Sequence, residues 1–213
     1  MDVDSTLIKQ EVIDLLAIHA GVGAQVSAIT ELAMQGGLDF SSSLARRVSL
    51  LKGLSESALS AVRQSIELSN GARTLISTLH AHDIKVGVVS GGFLNVISPL
   101  ADELKLNFVR ANTLEIVDGF LTGSTVGPII DRSAKAHALR EFAESYGISL
   151  DETVAAGDGA NDLDMLDQAG LGIAFMAKPK VQAAADVSIT NGRLDQILQY
   201  FDIAREDWVL VED

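Results

Sequence analysis

The alternation of helical stretches with short apolar runs, which begins near Ala72, restricts the fold of this chain more than any other feature. The runs are rich in valine, isoleucine and alanine, and they lie at residues 85–89, 153–156, 172–175 and 187–189. Continuous apolar runs of this length are typical of strands covered on both faces, and alternation with helices is typical of a parallel sheet. Residues 108–127 add two strand-like runs around Asp118-Gly119, which is a hairpin signal. We therefore predict an α/β fold built on a doubly wound parallel sheet.

Residues 9–67 follow a different pattern and carry no strand signal. Apolar residues recur at helical spacing in four stretches. Residues placed to end or cap these helices are Gly21, Gly36-Gly37, Ser41–Ser43 and Ser55. We predict a small helical bundle, inserted as a cap between residues 1–8 and 68–213, which together form the core domain.

The composition narrows the range of functions. A net charge of −13 argues against binding to nucleic acid or to an anionic membrane, because both need basic patches. It does not exclude an anionic substrate, since a bound cation and a few local basic residues can reverse the field inside a pocket. The absence of cysteine excludes a disulfide framework, a thiol catalyst and a cysteine–zinc site. No apolar run of about 18 residues occurs, and we expect a cytoplasmic protein.

Two carboxylates near the start of the chain, Asp2 and Asp4, are separated by one residue and followed by small hydroxyl residues. At the end of a strand they would lie on one face. Carboxylates this close repel each other unless a divalent cation binds them, or unless one is protonated and acts as an acid while the other acts as a base. The plainer alternative is that both are solvated acids or helix caps.

Two later glycine-rich segments place polar groups where parallel strands end. Ser90-Gly91-Gly92 follows an apolar run and precedes a helix, so its amide groups are suited to an anion, although an ordinary turn uses the same residues. Gly157-Asp158-Gly159 leads into Asn161 and Asp162, which supply more acid and amide groups than a helix cap needs. Asp158 is therefore a candidate metal ligand, while Asn161 or Asp162 can serve as the cap.

One lysine has an unusual position. Lys135 lies near the start of a predicted helix, where the helix dipole disfavours a cation, and this favours a role in holding an anion. A solvated lysine is the alternative, and Arg132 is a rival for the same role.

Taken in order, these segments resemble the haloacid dehalogenase superfamily and, within it, the phosphoserine phosphatase family. The matching segments are Asp2-Val3-Asp4-Ser5-Thr6, Val88-Val89-Ser90-Gly91-Gly92-Phe93, Lys135, and Gly157-Asp158-Gly159-Ala160-Asn161-Asp162. Two stretches of the helical insert, 8–16 and 40–48, are similar to the substrate-binding cap of that family. The resemblance covers nearly the whole chain.

The resemblance implies a Mg²⁺-dependent phosphatase that hydrolyses the small molecule O-phosphoserine, the last step of serine biosynthesis. Asp2 would be the nucleophile that forms a phosphoaspartyl intermediate, and Asp4 would be the general acid and base. Mg²⁺ would be bound by Asp2, by the backbone carbonyl of Asp4 and by Asp158, with Asp162 supporting that set.

The resemblance also implies residues that bind the substrate. The phosphate ligands would be Ser90, Gly91, Lys135 and Asn161. In the cap, Glu11 would bind the substrate ammonium and Arg47 its carboxylate, while Met34 and Phe40 would cover the pocket. Judged without the resemblance, the residue types favour surface charges for Glu11, Arg46 and Arg47, and core positions for Met34 and Phe40.

The start of the chain departs from the resemblance. Members of the family have an apolar strand before the first aspartate, whereas only Met1 precedes Asp2 here. A strand advances about 3.3 Å per residue, so Met1 cannot supply the central strand. We expect the burial and ladder hydrogen bonds of that strand to be missing, and we expect residues added ahead of Met1 to raise both stability and phosphatase rate.

Three other functions remain open on the sequence. The chain could act on a different small phosphomonoester or transfer the phosphoryl group to an alcohol such as homoserine. It could instead be an inactive or receiver-like phosphate-binding module, although receivers lack the inserted helices and this order of acidic residues. We expect a monomer or a homodimer.

Overall fold

Six strands provide the frame of the computed structural model, which describes residues 1–35 and 37–212. They are β1 (Gly87–Phe93), β2 (Phe108–Val117), β3 (Phe120–Val126), β4 (Val154–Gly157), β5 (Leu171–Phe175) and β6 (Val187–Ile189). They form two three-stranded groups with the orders β1-β2-β3 and β4-β5-β6. Neighbours are parallel except for β2 and β3, which form an antiparallel hairpin. Asp118 and Gly119 at its tip have φ of 51° and 79°, as the predicted hairpin turn requires.

The two groups of strands are joined by the first two residues of the chain. The Met1 ammonium donates a hydrogen bond to the carbonyl of Gly87 at 2.8 Å, and the Met1 carbonyl accepts one from the Val89 amide at 3.0 Å. On the other side, the Asp2 amide donates to the carbonyl of Ala156 at 2.9 Å. The expectation that ladder hydrogen bonds would be missing here was therefore wrong for Met1 and Asp2, which together form three of them. Met1 also lines a largely apolar cavity of about 460 Å³ between the two groups.

Nine α-helices are found among the described residues. They are α1 (Val12–His19), α2 (Gly23–Met34), α3 (Phe40–Ser49), α4 (Ser57–Gln64), α5 (Ala72–Ala81), α6 (Leu94–Glu103), α7 (Arg132–Ser145), α8 (Leu163–Gln168) and α9 (Pro179–Gln182). The first four lie in the segment predicted to be helical, and Gly36 of the predicted Gly36-Gly37 helix end lies outside the described residues. The chain enters and leaves this segment side by side, because Ile8 and Leu68 form an antiparallel bridge.

Four local predictions were wrong. Ser55 is not the N-cap of α4, since Glu56 is the residue directly before that helix and its side chain makes no capping hydrogen bond. Ser90–Gly92 is not a turn but part of β1, whose register against β2 shifts between Val89 and Phe93. Helix α6 runs through Pro99 rather than being interrupted there. The cap of α3 is Asp39 and not a serine of 41–43: its extended backbone leaves a side-chain oxygen free to accept the Ser42 amide at 2.8 Å.

Apolar side chains from the strands and from the first four helices share one continuous core, which includes Val12, Leu44 and Val88. The irregular turn Val3–Leu7 is buried in it through Val3 and Leu7. This burial fixes the acidic segment at the start of the chain against β1 and β4. Over residues 1–35 and 37–212, every helix is too short or too polar to cross a bilayer.

Candidate active site

A buried lysine holds two aspartates together at the carboxyl ends of the strands. Lys135 Nζ lies 2.7 Å from Asp2 Oδ2 and 2.6 Å from Asp162 Oδ1, and all three side chains are almost completely buried. Lys135 lies in the first turn of α7, which Asp131 caps by accepting the Ala134 amide at 2.9 Å. A buried cation at this end of a helix needs such partners, because the helix dipole and burial both disfavour it.

Asp158 completes an acidic cluster with Asp2 and Asp162. One carboxylate oxygen from each of the three lies within 4.8 Å of the others. When all three are ionised, the carboxylates and the Lys135 ammonium together carry a net charge of −2. The atoms that these three side chains offer to a metal ion are all oxygens. Hard divalent cations prefer oxygen ligands of this kind, so the residues fit a divalent metal ion.

Two glycines allow the loop after β4 to hold Asp162. The Gly159 amide donates to Asp162 Oδ2 at 2.9 Å, and a Cβ added to Gly157 would overlap the Asp162 side chain. An added Cβ at Gly159 would overlap Asn161 Oδ1 in the same way, so the Asn161 side chain folds back over the loop. The glycine-rich spacing in the sequence therefore reflects close approach of side chains to the backbone.

Asp4 faces the phosphate-binding candidate segment of β1. A Cβ on Gly92 would lie 2.6 Å from Asp4 Oδ2, so only glycine allows this approach. Asp4 Oδ1 accepts the amide of Val12, the first residue of α1, at 3.4 Å. Burial, followed by the charges of Glu11 and Asp2, raises the pKa of Asp4 well above its ordinary value. Burial thus favours the protonated form of Asp4, which suits a group that gives and takes a proton.

Burial also shifts the pKa values of the cluster. Desolvation and the charge of Asp162 raise the pKa of Asp2 to about 8, although Lys135 opposes this shift. The pKa of Asp158 is raised to about 6, again by burial and then by Asp162 and Glu11. A cation bound among these oxygens would favour their ionised forms and reverse both shifts.

The segment Ser90–Gly92 is held in place by two side chains. The buried Ser90 Oγ accepts the Gly92 amide at 2.8 Å. Asn112 on β2 donates from Nδ2 to the Gly91 carbonyl at 2.8 Å, and its Oδ1 accepts the Ile130 amide at 2.9 Å. Asn112 thereby connects this segment to the loop that leads into α7 and Lys135.

The structure separates Lys135 from its rival Arg132. Arg132 forms an ion pair with Asp164 of α8, and both side chains are largely exposed. It lies one turn before Lys135 on the same helix, yet it does not contact the acidic cluster. The spacing alone could not decide between the two, because both fall at the start of α7.

The helices α1 to α3 bring further predicted residues to the rim. Arg47 is half-buried, and its charge interacts with Asp14, Glu11 and Asp4. The ring of Phe40 packs over Gly91, since a Cβ there would lie 2.9 Å from Phe40 Cζ. Arg46, by contrast, is exposed. The Met34 side chain is 68% exposed, and its sulfur accepts a hydrogen bond from Lys178 Nζ at 3.5 Å.

Three side chains near the cluster were not singled out from the sequence. Thr6 Oγ1 donates to Asp158 Oδ1 at 3.3 Å, and Ser5 Oγ donates to Glu11 Oε1 at 2.6 Å. Asn112 is the third. An asparagine inside a strand is uncommon, and this signal could have drawn attention to it. Nothing comparable distinguishes Ser5 or Thr6, because small hydroxyl residues are common in turns.

Residues 1–167 match the family described as haloacid dehalogenase-like hydrolase. The chain therefore belongs to this family of hydrolases, as its sequence motifs indicated.

Within that family the chain belongs to the phosphoserine phosphatases. A Streptococcus thermophilus protein of that name is 48% identical over 202 residues, which are 95% of this chain and 94% of the relative. Phosphoserine phosphatase SerB2 of Mycobacterium tuberculosis is 55% identical over 204 residues, 96% of this chain and 50% of the relative, so the chain spans about half the length of that protein. A solved phospho-aspartyl intermediate analogue of phosphoserine phosphatase is 43% identical and gives a TM-score of 0.88 over 93% of this chain and 95% of that one. The predicted family and fold class are thus confirmed.

Proposed function

We propose that this chain is a Mg²⁺-dependent phosphomonoesterase that hydrolyses O-phosphoserine to serine and phosphate, the last step of serine biosynthesis. The observation that carries the proposal is the buried cluster in which Lys135 bridges Asp2 and Asp162 beside Asp158. The names of the relatives and of the solved intermediate analogue support the same activity.

The acidic cluster and the Asp4 backbone are the proposed metal site. Asp2, the Asp4 carbonyl and Asp158 would hold Mg²⁺, and Asp162 would support them. When bound, the cation would neutralise part of the charge on the carboxylates and on the phosphoryl oxygens.

In the first proposed step, Asp2 attacks the phosphorus atom. A bond forms between an Asp2 carboxylate oxygen and phosphorus, and the bond from phosphorus to the serine oxygen breaks. Asp4 gives its proton to the departing oxygen, so that serine leaves as the alcohol. The burial that raises the pKa of Asp4 supports this role, because it favours the protonated form of the carboxyl group.

In the second step, water attacks the phosphoaspartyl group. Asp4, now ionised, takes a proton from the water, a bond forms between the water oxygen and phosphorus, and the bond from phosphorus to Asp2 breaks. Lys135, the Ser90 hydroxyl and the Gly91 amide would stabilise the charge on the phosphoryl oxygens in both steps, with Asn161 close by.

Residues 9–67 would act as the cap that selects the substrate and excludes water. Glu11 would bind the substrate ammonium and Arg47 its carboxylate, because the planar guanidinium suits a planar anion. The charge of Arg47 interacts with Glu11 and Asp4, which supports a location at the same rim. Phe40 over Gly91 would close the pocket, with Met34 at its outer edge.

Phosphoserine hydrolysis with and without Mg²⁺ tests the proposal. Asp2→Asn keeps the size of the side chain but removes the nucleophile, so turnover should fall by at least about 10³-fold. Activity that persists in this variant, or that survives removal of divalent ions, would contradict the proposed mechanism.

A matched pair of arginine variants tests the substrate. Arg47→Ala should raise KM for phosphoserine by roughly 10–100-fold, as expected for loss of a charged hydrogen bond, with a smaller effect on kcat. Its neighbour Arg46 is exposed on the same helix, and Arg46→Ala should leave both constants unchanged. Equal kinetics for the two variants would remove Arg47 from the binding site.

A further inference from the structure

Ser5, the residue after Asp4, has a backbone conformation that serine rarely adopts. Its φ of 56° and ψ of 6° lie in the left-handed region. Glycine takes this conformation at no steric cost, and asparagine or aspartate takes it more readily than serine does. A strained residue beside reacting groups persists when its side chain contributes something that glycine lacks.

The Ser5 hydroxyl provides such a contribution, because it is bonded to Glu11. Ser5 Oγ donates to Glu11 Oε1 at 2.6 Å, a short distance typical of a bond to a charged acceptor. The second carboxylate oxygen, Oε2, takes part in none of the hydrogen bonds found among residues 1–35 and 37–212. The bond therefore holds one oxygen and leaves the other for a ligand.

Glu11 would otherwise have considerable freedom. Its side chain is exposed, and its carboxylate does not cap α1, although Glu11 is the residue directly before that helix. Ordering a long exposed side chain costs conformational entropy that substrate binding would have to offset. The backbone around it is already fixed, because the Ser5 amide donates to the Gln10 carbonyl at 3.2 Å and Asp4 accepts the Val12 amide.

The Glu11 carboxylate lies within the field of the reacting groups. Its charge contributes to the raised pKa of both Asp4 and Asp158, and it interacts with Arg47. A substrate that places a phosphate at Asp2 and a carboxylate at Arg47 would bring an adjacent ammonium group near Glu11.

We propose that Ser5 is a positioning residue that orients Glu11 toward the substrate ammonium and so sets the preference for phosphate esters that carry an amino group. The inference rests on the proposed function and deepens it. Ser5 does not touch the substrate but acts through Glu11, and its strained backbone is retained because glycine at this position would lose the hydroxyl.

Two variants separate the hydroxyl from the backbone. Ser5→Ala and Ser5→Gly both remove the bond to Glu11, but glycine relieves the left-handed conformation whereas alanine keeps it. We measure kcat and KM for O-phosphoserine and for 3-phosphooxypropionate, which lacks only the amino group. The ratio of the two kcat/KM values should fall roughly five- to tenfold in both variants, mainly through KM for phosphoserine, as expected for the loss of one typical hydrogen bond whose effect reaches the substrate through Glu11. The glycine variant should have the higher melting temperature.

A double variant shows whether Ser5 acts through Glu11. In the Glu11→Gln background, adding Ser5→Ala should lower the substrate ratio no further, because coupled residues are not additive. Ser49→Ala is the matched control: within residues 1–35 and 37–212, Ser49 Oγ bonds only to the Arg46 carbonyl at the end of α3, so the ratio should stay at the wild-type value.

The outcomes distinguish this inference from the proposed function. If the ratio is unchanged in both Ser5 variants, the inference about Ser5 is wrong. The proposed function is unaffected in that case, provided that the wild-type protein hydrolyses phosphoserine. Equal losses on both substrates would also overturn it, since they would indicate a structural role in the Asp4 loop. If the wild-type protein does not hydrolyse phosphoserine, both fall.

Discussion

Replacing Lys135 by methionine tests the central ion pairs directly. The change keeps an unbranched side chain but removes the ammonium that lies 2.7 Å from Asp2 and 2.6 Å from Asp162. All three groups are almost completely buried, so the variant leaves carboxylates in the interior without their cation. Removing one partner of a buried pair typically costs about 3–5 kcal/mol. We expect a value near 3 kcal/mol, because Asp2, whose pKa is already raised to about 8, can take up a proton.

Urea unfolding at pH 7 in the presence of a metal chelator measures this loss of stability. Added Mg²⁺ should recover part of it, because a divalent cation can replace some of the missing positive charge. Turnover of phosphoserine should fall by about 10²–10³-fold even where the variant is folded, since Lys135 is proposed to stabilise charge on the phosphoryl oxygens. The two measurements separate the structural contribution of the lysine from the catalytic one.

Arg132→Met is the matched control on the same helix. Arg132 pairs with Asp164 at the surface, where such pairs contribute about 0–1 kcal/mol, and it is remote from the acidic cluster. We expect a small loss of stability and unchanged turnover. If Lys135→Met is as mild as Arg132→Met in both assays, the buried cluster does not have the electrostatics described here.

Two further predictions follow from the same site. In a chelator, the unfolding free energy should fall as pH rises from about 4 to about 6, because folded-state pKa values of about 8 for Asp2 and about 6 for Asp158 exceed the ordinary 3.8, so these groups bind more protons in the folded state. Above about pH 6 the Met1 ammonium opposes this trend, because burial lowers its pKa to about 6. Added Mg²⁺ should flatten the slope below that pH in urea titrations, and metal-free stability that rises with pH there would contradict the reasoning. Asn112→Asp should lower kcat about tenfold, because an acceptor would then face the Gly91 carbonyl. The Asn95 side chain bonds the Leu114 backbone, so Asn95→Asp should affect stability without lowering kcat, and equal kcat values for the two variants would remove Asn112 from the site.

Local chemistry in the sequence was enough to predict most elements of the fold. The hairpin at Asp118-Gly119 forms because both residues accept positive φ, and the strand-like runs became β1, β4, β5 and β6 because their apolar side chains are buried. Where the prediction was wrong, tertiary contacts outweighed local preference. Ser90–Gly92 has the composition of a turn, yet Asn112 and the neighbouring strand β2 hold it as an extension of β1.

The site could be predicted only in part for a similar reason. Motifs pointed to the acidic residues and to Lys135, but the choice between Lys135 and Arg132 depends on which face of α7 meets the loop after β4. The bonds from Ser5 to Glu11 and from Thr6 to Asp158 depend on where the chain folds back on itself, and no spacing rule contains that information. Sequence patterns therefore identified the groups proposed to carry the chemistry better than the groups proposed to orient them.

The first two residues have a structural role that follows from their backbone bonds. Met1 is bonded to β1, which carries the proposed phosphate-binding residues, and Asp2 is bonded to β4, which leads into Asp158 and Asp162. The proposed nucleophile thus lies on the short segment that fixes the distance between the proposed phosphate-binding segment of β1 and the acidic cluster. Since a shift of about 1 Å in such a distance can cost 10²-fold in rate, the packing around Met1 matters to catalysis although Met1 itself performs no chemistry. Looser packing around the cavity of about 460 Å³ that Met1 lines would therefore shift the position of Asp2 relative to the phosphorus atom.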